Sequence, residues 1–267
     1  VNATGPAGFA AVSVTCLVVL ALLQAGTFAA GRRIGRYNVV DVSWGLGFVL
    51  VAVAAAAIGG GDVTRRILVA LLVAVWGLRL SWHMHTKSRG RGEDPRYEEL
   101  LARSAGSRTA VVVRKIFLTQ GVAQWFVSVP LQLSAVLGAT SGAALAVLGL
   151  GVAVWFVGFA FEAVGDSQLA RFKAEPANRG RIMDVGLWAW TRHPNYFGDA
   201  CVWWGLWLVT ASVWPGPLTI ASPLLMTYFL VYATGARLLE RSMSRRPGYA
   251  EYQERTGFFF PRVPRPS

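Results

Sequence analysis

The sequence predicts an all-α fold: a single polytopic membrane domain over residues 1–267 with seven transmembrane helices, N-terminus outside and C-terminus cytoplasmic. Three observations carry this. Hydrophobic residues make up 54% of the chain and charged ones 15%, against about 25% charged in a typical soluble domain. Seven apolar runs, at roughly 8–30, 38–58, 66–86, 114–137, 142–164, 196–213 and 217–240, approach the ~20 residues needed to cross hydrocarbon. The arginines crowd into alternate connections, as the positive-inside rule requires.

Taken in order, the first run lacks a positive n-region and is expected to be a first helix instead of a signal peptide. Arg32, Arg33 and Arg36 follow it, whereas only Arg65 and Arg66 separate runs two and three. After run three come Lys87, Arg89, Arg91, Arg96, Arg103, Arg108, Arg114 and Lys115. After run five come Arg171, Lys173, Arg179, Arg181 and Arg192, and the tail adds Arg241, Arg245, Arg246, Arg255, Arg262 and Arg265. The net charge of +12 is therefore topological, and no soluble basic domain remains for nucleic acid. Arginine strongly outnumbers lysine, a usage expected of GC-rich bacterial coding. Cys16 and Cys201 lie in apolar runs, which argues against a disulfide framework or a cysteine zinc site. Residues 138–142 and Trp214–Pro217 form short turns. The 87–115 connection opens with Arg-Gly-Arg-Gly and continues as a short helix from Pro95 to Arg103. It is either a ligand-facing segment or a solvated connector.

The polar stretch Gly186–Asp199, GLWAWTRHPNYFGD, stands at the mouth of the sixth run. It holds Arg192, His193, Asn195, Tyr196 and Asp199, groups too costly to place beside a membrane helix without a task. Pro194 suits a first helical turn, whose free N–H groups, with Arg192, would form an anion site. The alternative is an interfacial anchor, with Trp188 and Trp190 as an aromatic belt. Ionisable groups also fall inside the runs: Asp41, Arg79, Glu162, Asp166, Arg237 and Glu240. Glu162 and Asp166 are four apart and share one helix face. A ligand site and a lattice of buried ion pairs both explain these residues, and the two are compatible.

Phe161–Asp199 resembles the bacterial DUF1295 membrane proteins, which belong with the C-terminal domain of steroid 5-alpha-reductases. The likeness extends back to Trp76–Arg91, to Glu93-Asp94-Pro95-Arg96-Tyr97 and to Asp41-Val-Ser-Trp44-Gly45. It continues through Gly248-Tyr249, Tyr252 and Phe260-Pro261, giving a core of about 66–262. The resemblance implies NADPH and hydride transfer to a C=C conjugated to a carbonyl in a hydrophobic, steroid-like or lipid substrate. Its cofactor contacts fall on Asp166, Asn195, Asp199 and Arg237. Glu162 stands where the family has Asn, Lys173 where it has Arg, and Arg245 where it has Tyr. Arg89, Arg171, Arg192, His193, Tyr196 and Tyr252 complete the expected cofactor set. The family's carbonyl-binding Tyr is nearest Trp76.

Hydride addition builds enolate charge, which needs an acid or cation beside the oxygen. Asp41, Trp76 and Arg79 are the expected catalytic residues, with His83 and His85 as further candidates. A helix turns His83 and His85 about 200° apart, and with no third ligand no metal is expected. Isoprenylcysteine carboxyl methyltransferases and phospholipid methyltransferases share the Arg-His-Pro-x-Tyr-x-Gly segment. An S-adenosylmethionine-dependent membrane methyltransferase is therefore one alternative, and a non-catalytic lipid-binding subunit another. The expected partners are the hydrophobic substrate and membrane lipids, in a bacterial plasma membrane with the active face cytoplasmic.

Overall fold

A computed structural model describes residues 3–233 and 235–264; Arg265 lies outside them. Among the described residues the fold is all-helical, with two isolated β-bridges and no strand. The helices are α1 (Gly5–Ile34), α2 (Val39–Ile58), α3 (Val63–Ser88), α4 (Pro95–Ala102), α5 (Arg108–Val112), α6 (Thr119–Val127), α7 (Val129–Ser134) and α8 (Ala144–Ala174). They continue as α9 (Leu187–Trp190), α10 (Pro194–Ala211), α11 (Ala221–Tyr228), α12 (Ala236–Met243) and α13 (Tyr249–Arg255). Among the described residues, five helical stretches are long and apolar enough to cross a membrane: α1, α2, α3, α8 and Gly216–Met243. These make the chain an integral membrane protein.

The remaining two expected spans take other forms. The 114–137 run is not one helix. A π-helical stretch, Val113–Leu118, joins α5 to α6, and the path breaks at Ser128 before α7. Pro130 explains the break, since it has no N–H to give to the carbonyl four residues back and its ring crowds that carbonyl. The sixth run is α10, whose first turns carry Asn195 and Asp199 and dilute its apolarity.

The chain forms two compact units, Val1–Ala144 with Thr210–Thr219, and Leu145–Val209 with Ile220–Ser267. In the first, α2 and α3 meet backbone to backbone. A Cβ on Gly45 would sit 2.2 Å from the Gly77 carbonyl oxygen, and one on Gly77 would sit 2.7 Å from that of Gly45. Small residues allow such approach between membrane helices, and polar side chains then act as glue. Gln124, fully buried, donates to the Trp44 carbonyl at 2.8 Å and accepts from Gln24 at 2.7 Å, tying α6 to α2 and α1. Arg65 is no loop arginine. Only 1% exposed, it donates to the Leu137 carbonyl and to Thr140 Oγ1, fastening the segment after α7.

The 87–115 connection is docked along its length. Glu93 accepts from the backbone N–H groups of Tyr37 and Asn38, capping the start of α2. Arg36 Nη1 donates to the Ser88 and Arg91 carbonyls, and Asn38 to that of Gly92. The expected short helix forms as α4, capped by Asp94. Tyr97, Leu100 and Leu101 pack on the buried cluster of Val40, Val112, Ile116 and Phe117.

Candidate functional site

The polar stretch begins α10 in the second unit, with Pro194 as its first residue. Antiparallel contact with α8 positions it. A Cβ on Gly158 would lie 2.5 Å from the Gly198 carbonyl oxygen, and one on Gly151 would lie 2.7 Å from that of Gly205. These pairs are seven residues apart on both helices, so the backbones touch along two turns. The approach seats Glu162 and Asp166 of α8 against the first turns of α10. Asn195 Nδ2 donates to Asp166 Oδ1 at 3.2 Å, and a Cβ on Gly198 would reach Glu162. Glu162, Asp166 and Asp199 are all buried. The first turns of α10 and the facing stretch of α8 thus carry three buried carboxylic residues and a carboxamide.

Beside them is a second polar group centred on Glu240 of α12. Its carboxylate accepts from Arg192 Nε (2.9 Å) and Nη2 (3.1 Å), Tyr249 Oη (2.6 Å) and Gln253 Nε2 (2.7 Å). His193 Nε2 is 3.0 Å away. A carboxylate offers only acceptors, so that nitrogen carries its proton. Arg192 Nη1 also donates to the Thr256 and Gln253 carbonyls, and its guanidinium lies 5.5 Å from the Phe258 ring centroid. The expected anion-facing arginine is therefore committed within the protein: four of its five N–H groups already have partners. Burial, then the bond to Glu240, raises the Tyr249 phenol above its usual pKa and keeps it a donor.

A clasp closes this end of the unit. Thr191 and Gly257 form a parallel bridge. Arg192 N donates to the Gly257 carbonyl and Arg262 N to that of Trp190, both at 2.9 Å. Trp188 is buried and donates to the Gly165 carbonyl, so it packs inside instead of lying in an aromatic belt; Trp190 is partly exposed.

The other expected residues separate. His193 stacks on Tyr196. Tyr252 spends its hydroxyl on the Trp188 carbonyl at 2.6 Å, so its role is to hold α13. Arg171 and Lys173 are exposed near the end of α8, and Arg237 is exposed with its guanidinium 4.3 Å from the Tyr232 ring centroid. Arg89, at the end of α3, belongs to the first unit, as do Asp41, Trp76 and Arg79. Asp41 accepts from Tyr97 Oη at 2.7 Å and from Arg96 Nη2 at 3.3 Å. Burial and Asp41 raise the Tyr97 pKa, so its hydroxyl stays protonated. Trp76 is sealed with its ring 5.8 Å from Phe48. Arg79 is half-buried on α3. The sequence reading missed Tyr97, Tyr249 and Gln253 as partners of these carboxylates, although both tyrosines lie in stretches that carry the family likeness.

Fold and site together define a helical membrane protein with a buried carboxylate-rich cluster at one helix start. Residues 27–256 match the family described as "Protein of unknown function (DUF1295)", and the chain belongs to that family. Over 103 residues it is 32% identical to an uncharacterized protein of Schizosaccharomyces pombe. That stretch covers 35% of this chain and 28% of the relative, so the match spans less than a third of the relative's length. No solved structure matches.

Proposed function

We propose that this protein is a membrane-embedded reductase that uses NADPH to deliver hydride to a C=C conjugated to a carbonyl in a hydrophobic substrate. The observation that carries the reading is the meeting of Glu162 and Asp166 on α8 with Asn195 and Asp199 on α10. Buried ionisable groups gathered in a membrane protein are costly, and such clusters concentrate at functional sites.

The residues suit the cofactor by their chemistry. Carboxylates accept from ribose hydroxyls and from a carboxamide N–H, and Asn195 can both donate and accept. Arg171, Lys173 and Arg237 are exposed cations of the same unit and would face the phosphates, whereas Arg192 is held by Glu240. When bound, NADPH supplies the hydride; Asp166 and Asn195 would orient its nicotinamide–ribose part.

Asp166→Asn and Asn195→Asp keep volume but change the donor–acceptor pattern. Each should depress hydride transfer by about 1–3 kcal/mol, the cost of leaving a buried polar group unsatisfied. The assay is NADPH oxidation with a lipid enone, run beside a thermal shift in detergent, where NADPH should raise the midpoint by mass action. A midpoint that responds to S-adenosylmethionine and not to NADPH would move the site to methyl transfer.

The active face is cytoplasmic in this reading, with seven crossings that count α5–α7 and α10. Cysteine introduced at residues 138–142 should then label from outside intact cells, and cysteine at Ser104 should not. The reverse pattern would overturn the orientation.

A further inference from the structure

We propose that the first unit carries a binding groove for an anionic phospholipid, with the headgroup at Arg36 and His85 and one acyl chain along α1 and α2. The groove is a cavity of about 460 Å³, within the range of small-molecule sites. Leu22, Gly26, Val42 and Leu46 line its stem. Leu22 is 69% exposed, so the groove opens outward along helices of membrane length. What surrounds it there is lipid.

Its polar end has one sign of charge. Arg36 gives Nη1 to the Ser88 and Arg91 carbonyls, while its Nη2 has no protein partner among the described residues. His85 lines the same end and is exposed. Arg32 and Arg33 in the last turn of α1, with Lys87 and Arg89 at the end of α3, are exposed beside it. The acids in this region are engaged elsewhere: Glu93 caps α2, and Asp41 and Asp94 pair with Arg96. No carboxylate lines the groove, so an ammonium-bearing headgroup would find no counterion. Basic pockets between membrane helices select anionic headgroups for this reason. The groove belongs to the first unit and the carboxylate cluster to the second, and the proposal does not depend on hydride transfer.

The test uses the full chain in detergent, with phosphatidylglycerol or phosphatidylcholine of identical chains added. Phosphatidylglycerol at about 100-fold excess over its Kd should raise the thermal midpoint by roughly 5–10 °C. Phosphatidylcholine should raise it markedly less. Gly26→Leu puts a side chain into the stem at a position where a Cβ meets nothing within 4 Å. It should leave the lipid-free midpoint at or above wild type and abolish the phosphatidylglycerol shift. Arg36→Gln loosens the strap to Ser88, so it is read as the difference between the two lipids within that variant; this difference should collapse. A full shift retained in Gly26→Leu, an undiminished difference in Arg36→Gln, or equal shifts with both lipids in wild type would each overturn the proposal.

Discussion

Replacing Glu240 with alanine is expected to cost about 3–5 kcal/mol, the usual loss when one partner of a buried ion pair is removed. For a chain of this size that is a fall of roughly 6–20 °C in thermal midpoint. The side chains of Arg192 and Glu240 are 9% and 14% exposed, so the guanidinium left behind keeps its charge and recovers little water. Tyr249 and Gln253 lose their acceptor together with Arg192. Arg192→Ala should cost about as much, and the double variant far less than the sum, because both changes break one network. Midpoints of the three variants in detergent, without ligand, decide the matter. Additive losses, or a midpoint unmoved by Glu240→Ala, would return Arg192 to the role of an anion-facing residue.

Gly198→Leu should be the most damaging change at the contact between α8 and α10, costing about 3 kcal/mol or more. Its Cβ would fall 2.5 Å from both the Gly158 carbonyl oxygen and the Glu162 amide nitrogen. These are backbone atoms that cannot step aside, so the helices must part, and the Asn195–Asp166 bond with them. Gly149→Ala, on the same α8, is the control. A Cβ there meets nothing within 4 Å, so alanine should be neutral or stabilise by about 0.5–1 kcal/mol. Gel filtration and thermal midpoints of the two variants separate contact from propensity. Equal behaviour would mean that the close approach contributes little.

The features readable from sequence are those written in neighbouring residues. Hydropathy over some twenty residues marks α1, α2, α3 and α8 because a membrane helix must be apolar nearly all round. Pro194 marks the start of α10, and Pro95 that of α4, because the missing N–H costs nothing there. The four-residue spacing of Glu162 and Asp166 places both on one face, and both are buried. The features that escaped depend on groups far apart in the chain. Nothing near Arg192 says that its partner is Glu240, 48 residues on. The sequence therefore offers an anion site or an interfacial anchor for this guanidinium, and its role as an internal tie is not written near it. Arg65 was sorted by charge alone, whereas its burial depends on carbonyls about seventy residues away. The glycines of α8 and α10 did leave a trace. Their seven-residue spacing is visible in both segments, and small residues in register are how membrane helices approach closely. The break at Ser128 was visible too, in Pro130, but hydropathy averages across it.

The clasp between residues 190–192 and 257–262 has a consequence for biogenesis. A chain is synthesised from its N-terminus, so Arg192 and His193 leave the ribosome long before Glu240, Thr256 and Gly257. Through that interval the start of α10 holds a cation without its counterion and Thr191 without its bridge partner. The polar end of the second unit thus matures only after release of the segment that ends near Arg262. A nascent chain arrested before that point would carry the long apolar helices and still lack the completed cluster.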